Sequence, residues 1–398
     1  MIKYSDIKED LGLDKLKYFE NDEAVITHYL QNINEPTQHL YKPITKKYFQ
    51  VKEKYFQERL PIKWDVPFPP PTNPKFKFID LFAGIGGFRI AFQELGGQCV
   101  FSSEIDPFAK KTYEKNFGEV PFGDITKIVE KDIPDFDILL AGFPCQPFSL
   151  AGVSKKNSLG REHGFKDKTQ GTLFFDIKRI LKEKKPTAFF LENVKNLLTH
   201  DNHKTFEVIR ETLEDDLGYV INWKIIDGAK WVPQHRERIF IVGYNPKKIK
   251  ISKQEIIIPS KPRSNFKYKT LPEILGDEVD SKYTVGPGTW DTLKRHKEHH
   301  AKMGNGFGYG LIDYPPDSET MTRTISARYH KDGAEVLIKQ KNNRPRKLTV
   351  EEALQLQGYD PRKFIMPVSD TQAYRQIGNS VVVPAIKETA KEIIKIIK

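Results

Sequence analysis

Cysteine is nearly absent from this chain: Cys99 and Cys145 are the only two among 398 residues. Two thiols cannot build a disulfide framework, so a reducing cytoplasm is the expected compartment. Long apolar runs are missing too. No stretch approaches the roughly 18 to 20 residues of a membrane span, and MIKYSDIKEDLG lacks the apolar core of a signal peptide. The expectation is a soluble, intracellular protein with no membrane partner. No internal repeat is visible, and no CxxC pair accompanies His296, His299 and His300, so no metal is expected. Positive charge, by contrast, is plentiful. Lys and Arg number 64 against 53 Asp and Glu, a formal net charge of +11, which favours a polyanionic partner.

The chain divides by composition. Residues 1–66 read as a helical N-terminal extension, with Leu, Tyr and Phe scattered among charges. VPFPPPTNPK then breaks regular structure, because its five prolines lock φ and remove donors; residues 67–75 are a linker. Over 76–244, FKFIDLF, CVFSSEI, FDILLAG, TAFFLEN and RIFIVGY are strand candidates with helical stretches between them. That is the βαβ rhythm of a parallel sheet. Residues 245–343 turn to short strands, glycines, prolines and basic side chains, with a helical period only near TWDTLKRHKEHHAK. In 344–398, Thr349 with Glu352 three positions on marks a helix start. VVVPAIKETAKEIIKIIK is an amphipathic helix expected to pack back on the first domain.

FIDLFAGIGGFRIAF is a strand, a glycine-rich turn and a helix. Gly84, Gly86 and Gly87 allow a tight turn and close backbone approach to a ligand, although the full GxGxxG pattern is missing. Glu104 ends the next strand and stands where an acid accepts from ribose hydroxyls. Asp124 in FGDIT is read as a third strand-end acid, facing an exocyclic amine. Either acid alone also suits a helix cap. Together they predict an adenosine-containing cofactor, without separating a dinucleotide from S-adenosylmethionine. AGFPCQPFS sets Cys145 between Pro144 and Pro147, a rigid frame that a merely packed thiol does not need. Cys99, inside a strand, reads as a small buried hydrophobe.

FIDLFAGIGG, AGFPCQPFS, FFLENVKNL, QHRERIFIVG and RQIGNSVVVPA occur in that order and resemble the DNA cytosine-5 methyltransferases. GVSKKNSLGREHGF, GNGFGYG and TRTISARYHKDGAE resemble the Dcm-type bacterial enzymes in particular. The resemblance implies an α/β fold, with a Rossmann-like S-adenosylmethionine-dependent methyltransferase domain and a smaller β-rich target-recognition domain. The helical N-terminal extension lies outside it. It also implies S-adenosyl-L-methionine as cofactor and double-stranded DNA as partner, for an enzyme expected to be a monomer. A cognate restriction endonuclease acting on the same site is left open.

By that resemblance Cys145 is the nucleophile, adding to carbon 6 so that carbon 5 gains enamine character. Arg236 and Arg238 supply positive charge around thiol and base, and Glu192 holds the ring at N3. Phe82, Ile85, Ile105, Ile125, Pro144, Leu173, Asn379 and Ser380 join Gly84, Gly86, Gly87, Glu104 and Asp124 as cofactor-binding candidates. Stacked duplex hides carbon 6, so the base is flipped out, and residues 146–171 have the composition of a loop that closes afterwards. Gln146, Ser149, Arg295, Lys297, Asn305, Tyr309, Arg323 and Thr324 are the DNA-binding candidates, cations for phosphates and the glycine-rich loop for base edges. The expected target is the inner cytosine of CCWGG, with CCNGG or CCGG as alternatives. Three rival readings are a tRNA cytosine-5 methyltransferase, a DNA-binding regulator using residues 1–66 and a nicotinamide oxidoreductase. The basic insert argues against the first, and the intact catalytic set against the second.

Overall fold

The computed structural model describes residues 2–10, 22–31, 62–144, 173–304 and 308–398. Cys145, Gln146, Ser149, Asn305 and the 146–171 loop lie outside the described residues. Two short strands, β1 (Ile2–Lys3) and β2 (Ile62–Lys63), pair in parallel. The central sheet comprises β3 (Phe76–Leu81), β4 (Gly97–Ser103), β5 (Ile138–Gly142), β6 (Ala188–Val194), β7 (Val220–Asp227) and β8 (Glu237–Tyr244), in the order β4-β3-β5-β6-β8-β7. Near-continuous apolar runs form β3, β5 and β6 because helices cover both faces. Alternate residues feed two cores. Leu139, Ala141, Phe189, Leu191 and Ile241 face one side. Phe78, Leu140, Phe190, Phe240 and Val242 face the other, where Ile386, Ala390 and Ile393 of the C-terminal helix Val383–Ile397 cover them.

Pairing is parallel from β4 to β6, as expected, but β8 runs antiparallel to both β6 and β7. The expectation of a wholly parallel sheet therefore fails at RIFIVGY. The physical reason is the short Gly228–Arg236 link, well below the dozen or more residues a parallel crossover takes. β7 itself, VINWKIID, is a strand missed in the sequence reading; its half-buried alternation lacks the apolar run of its neighbours.

The extension is not purely helical, given β1 and β2, and its helices Tyr4–Asp10 and Asp22–Gln31 pack on the core through buried polar groups. Lys8 Nζ lies 2.6 Å from Glu114. The His28 ring accepts from Ser102 N–H at 3.1 Å. Gln31 accepts from Arg89 at 2.8 Å and donates to the Phe117 carbonyl at 2.6 Å. Residues 245–343 are less β-rich than expected. Their longest element is the helix Pro287–Lys302, beside β9 (Leu311–Ile312) and β10 (Leu337–Gln340), which pairs with β11 (Asn343–Arg346) across the expected boundary. Leu293 and Leu337 form the small core there, with Trp290 and Tyr309 against it. Among the described residues no helix is long and apolar enough to cross a membrane.

Candidate active site

A cavity of about 440 Å³ opens at the carboxyl ends of the parallel strands and the amino end of β8, where open α/β sheets bind ligands. The β3 turn forms one wall. Phe82 and Gly84 adopt left-handed backbone there, at φ 55° and 54°. A Cβ at Gly84 would meet no protein atom within 4 Å. Gly84 N–H donates to Glu104 Oε2 and Asp106 N–H to Oε1, both at 2.8 Å. Burial raises the Glu104 pKa against these bonds. Asp106 caps the helix Pro107–Phe117. Asp124 also caps a turn, accepting from Thr126 N–H at 3.0 Å and Oγ1 at 2.7 Å. It follows an isolated bridge at Phe122, not a regular strand end as expected.

Across β3 and β5, Glu192 of β6 meets Arg238 of β8, with Nε 3.1 Å from Oε1. Register sets this encounter, because antiparallel pairing places Asn193 opposite Ile239 and Val194 opposite Arg238. Burial raises the Glu192 pKa, with Arg238 and Arg236 pulling the other way. Asn193 donates to the Phe143 carbonyl at 2.9 Å and so holds the start of the cysteine loop. Arg236 is buried. Its Nη1 donates to the Ile325 carbonyl at 3.0 Å, and its Nη2 to those of Gly378 and Ser380 at 2.9 and 2.5 Å. Burial and the neighbouring Arg238 lower its pKa.

The structure gathers Phe82, Gly84, Glu104, Ile105, Asp124, Ile125, Pro144, Leu173, Asn379, Glu192, Arg236 and Arg238 around this one cavity. Ile85, Gly86, Gly87 and Ser380 do not line it. Ile85 is buried in a separate core. Gly86, at φ 83°, caps the helix Gly87–Gln93, and the Phe117 ring stands 2.2 Å from where its Cβ would be. Gly87 faces Val381 and the Tyr359 hydroxyl, and Ser380 bonds that hydroxyl at 2.6 Å. A Cβ at either glycine would stand within 3 Å of these neighbours. Asn193, Arg375, Gln376 and Gly378 line the cavity and were not among the binding candidates; their place in LEN and RQIGN was the available signal. Cys99 is free and buried, its Sγ 3.4 Å from the Phe101 carbonyl.

Among the described recognition candidates, Lys297 and Tyr309 touch each other and the others bond neighbouring residues. Lys297 Nζ sits 4.6 Å from the Tyr309 ring centre, and Tyr309 packs on Trp290 at 4.9 Å. Arg323 donates to the Gly308 carbonyl and Thr324 Oγ1 to that of His235, each at 2.5 Å. Arg295 is exposed and reaches Thr292 at 3.2 Å. Among the described residues no group of three or more His, Cys, Asp or Glu is placed to hold a metal ion.

The fold is that of a Rossmann-like methyltransferase. Residues 76–395 match the family described as C-5 cytosine-specific DNA methylase. The chain belongs to that family and is a DNA cytosine-5 methyltransferase. It is 51% identical over 330 residues to the type II methyltransferase M.SsoII of Shigella sonnei, covering 82% of each chain. To the DNA-cytosine methyltransferase of Escherichia coli K12 it is 45% identical over 378 residues, covering 82% of this chain and 79% of that one. The crystal structure of S. pombe Dnmt2 methyltransferase shares the fold, with a TM-score of 0.62 at 20% identity over 81% of this chain and 98% of that one.

Proposed function

We propose that this enzyme methylates carbon 5 of the inner cytosine of CCWGG in duplex DNA, using S-adenosyl-L-methionine and a transient bond from Cys145 to carbon 6. The observation that carries this is a single cavity bearing two unlike carboxylate sets. Glu104 follows β4 and Glu192 lies in β6, with β3 and β5 between them. The Glu104 side suits an adenosine: carboxylates for ribose hydroxyls and an exocyclic amine, Phe82, Ile105, Ile125 and Leu173 for the ring, and open space at Gly84. When bound, the cofactor supplies an electrophilic methyl group on a sulfonium. Glu192, its pKa raised by burial, is suited to carry a proton toward cytosine N3 while Arg238 orients it. That draws electron density from the ring as the Cys145 thiolate adds. Carbon 5 then takes the methyl group, a base or water removes its proton, and the Sγ–C6 bond breaks to return the thiolate.

Extrusion of the base costs a few kcal/mol, and basic side chains of 245–343 offset it by phosphate contact. CCWGG rests on the likeness of GNGFGYG and TRTISARYHKDGAE to Dcm-type enzymes, supported by the 45% identity to the Escherichia coli enzyme. We read the protein as a monomeric cytoplasmic enzyme. The "type II" in its relatives' names supports pairing with a restriction endonuclease of the same site. Bisulfite sequencing of DNA from cells expressing the chain tests the proposal. Methylation confined to sites without flanking CC and GG overturns the assignment; equal methylation at CCSGG and CCWGG removes only the W. Methyl transfer to tRNA but not to duplex would replace it with the RNA reading.

A further inference from the structure

The Pro233–Arg236 turn makes an unusual set of bonds to the recognition segment. His235 N–H donates to the Thr322 carbonyl at 2.9 Å, and Thr322 N–H to that of Pro233 at 3.0 Å. Gln234 is fully buried. Its Oε1 accepts from Ile325 N–H at 2.8 Å, and its Nε2 donates to the Leu356 carbonyl at 2.7 Å. Thr324 Oγ1 donates to the His235 carbonyl. Arg236 then spans outward from Ile325 to Gly378 and Ser380. On its other side the segment touches the same wall without side chains intervening. A Cβ at Gly378 would stand 2.3 Å from the Ser326 carbonyl group and 2.4 Å from Ala327 N. Residues 322–327 thus pack against two residues that line the cavity, Arg236 and Gly378.

We infer that Arg236 is a positioning residue. Its guanidinium fixes the recognition segment Thr322–Ala327 to the cavity wall, so that sequence reading and cavity shape are set together. Two features favour this over a role as a charge beside the thiol. Both Nη atoms donate to main-chain carbonyls, and only Nε lacks a partner. The planar fork matches carbonyls from two chain segments at once, which a lysine ammonium on its flexible stem does not reproduce. A displaced Ile325 carries Thr324 and Arg323 with it, and Arg323 holds Gly308 of the glycine-rich run. Loss of the clasp therefore degrades discrimination between sites, not merely overall affinity. The inference rests on the CCWGG reading of duplex DNA proposed above.

The test uses the full chain. Binding of labelled CCAGG and scrambled duplexes is followed by fluorescence anisotropy, with methyl transfer to each and a thermal melt alongside. Arg236→Lys is expected to cut the CCAGG-to-scrambled affinity ratio by roughly tenfold, the worth of one good discriminating contact, while its melt shows a folded protein. A folded Arg236→Lys with the wild-type ratio overturns the inference. If Arg236→Lys does not fold, Thr324→Val decides, since it removes one exposed bond. A reduced ratio, restored by Thr324→Ser, supports the clasp; an unchanged ratio, or uniform weakening on both duplexes as expected of a lost phosphate contact, overturns it. Wild-type protein that binds tRNA and ignores duplex overturns the underlying function instead, a separate result.

Discussion

Glu104 offers the sharpest quantitative test of the cofactor assignment. Its two oxygens accept from Gly84 and Asp106 N–H at 2.8 Å each, and the residue lines the cavity. A charge-assisted bond from a ribose hydroxyl contributes about 1.5 to 3 kcal/mol, equivalent to roughly 10- to 150-fold in affinity. Glu104→Ala loses that bond and also strands two backbone donors, so S-adenosylmethionine affinity should fall about a hundredfold. Glu104→Gln keeps one carbonyl oxygen and should lose about tenfold. Stability should follow a different course. Burial holds the Glu104 pKa above the ordinary 4.5. Its contribution to folding is therefore full below that value and is lost as pH rises through the raised one. Glu104→Gln titrates nowhere, so its melting temperature should gain on wild type between acid and neutral pH even as binding weakens. Calorimetric titration and melts at pH 4 and pH 8 read the two effects. Affinities of both variants within about twofold of wild type, well below the loss of one such bond, would refute the reasoning.

Three further outcomes are expected. Glu119 is fully buried, yet Arg89 at 2.8 Å, His28 and Ser102 outweigh that burial and hold its pKa at about 2. Its stabilisation is present above pH 4.5 and lost as pH falls toward 2; Glu119→Gln should flatten this acid limb and, by breaking a buried pair, cost about 3 to 5 kcal/mol at neutral pH in urea unfolding. Cys145→Ser should bind duplex and cofactor but transfer no methyl group, whereas Cys99→Ala should retain turnover and lose about 1 kcal/mol of stability; turnover and urea melts on both variants check this. Glu192→Gln should lower kcat by about 100-fold or more, the size of a lost general acid, with cofactor affinity unchanged, because the pair with Arg238 lies across the sheet from Glu104.

Features carried by local order were legible in the chain alone. The apolar runs of β3, β5 and β6, the Thr349 cap and the turn-helix pattern after Leu81 are contiguous, so propensity and periodicity expose them. The family motifs are contiguous too, and Glu104, Glu192 and Arg238 stand where those motifs put them. Tertiary structure decided the rest, because the deciding contacts join distant positions. That Phe117 and Val381 stand against Gly86 and Gly87 is visible only in the fold. The Arg236 guanidinium bonds carbonyls 142 and 144 residues away, contacts that no local pattern announces. Nothing near residue 28 announces a histidine buried against Ser102 and Glu119. Whether β8 runs parallel or antiparallel turns on a short link and on which edge of β6 is still free. Local sequence encodes the propensity of each segment, but a buried polar group declares its role only through the partner that folding brings to it.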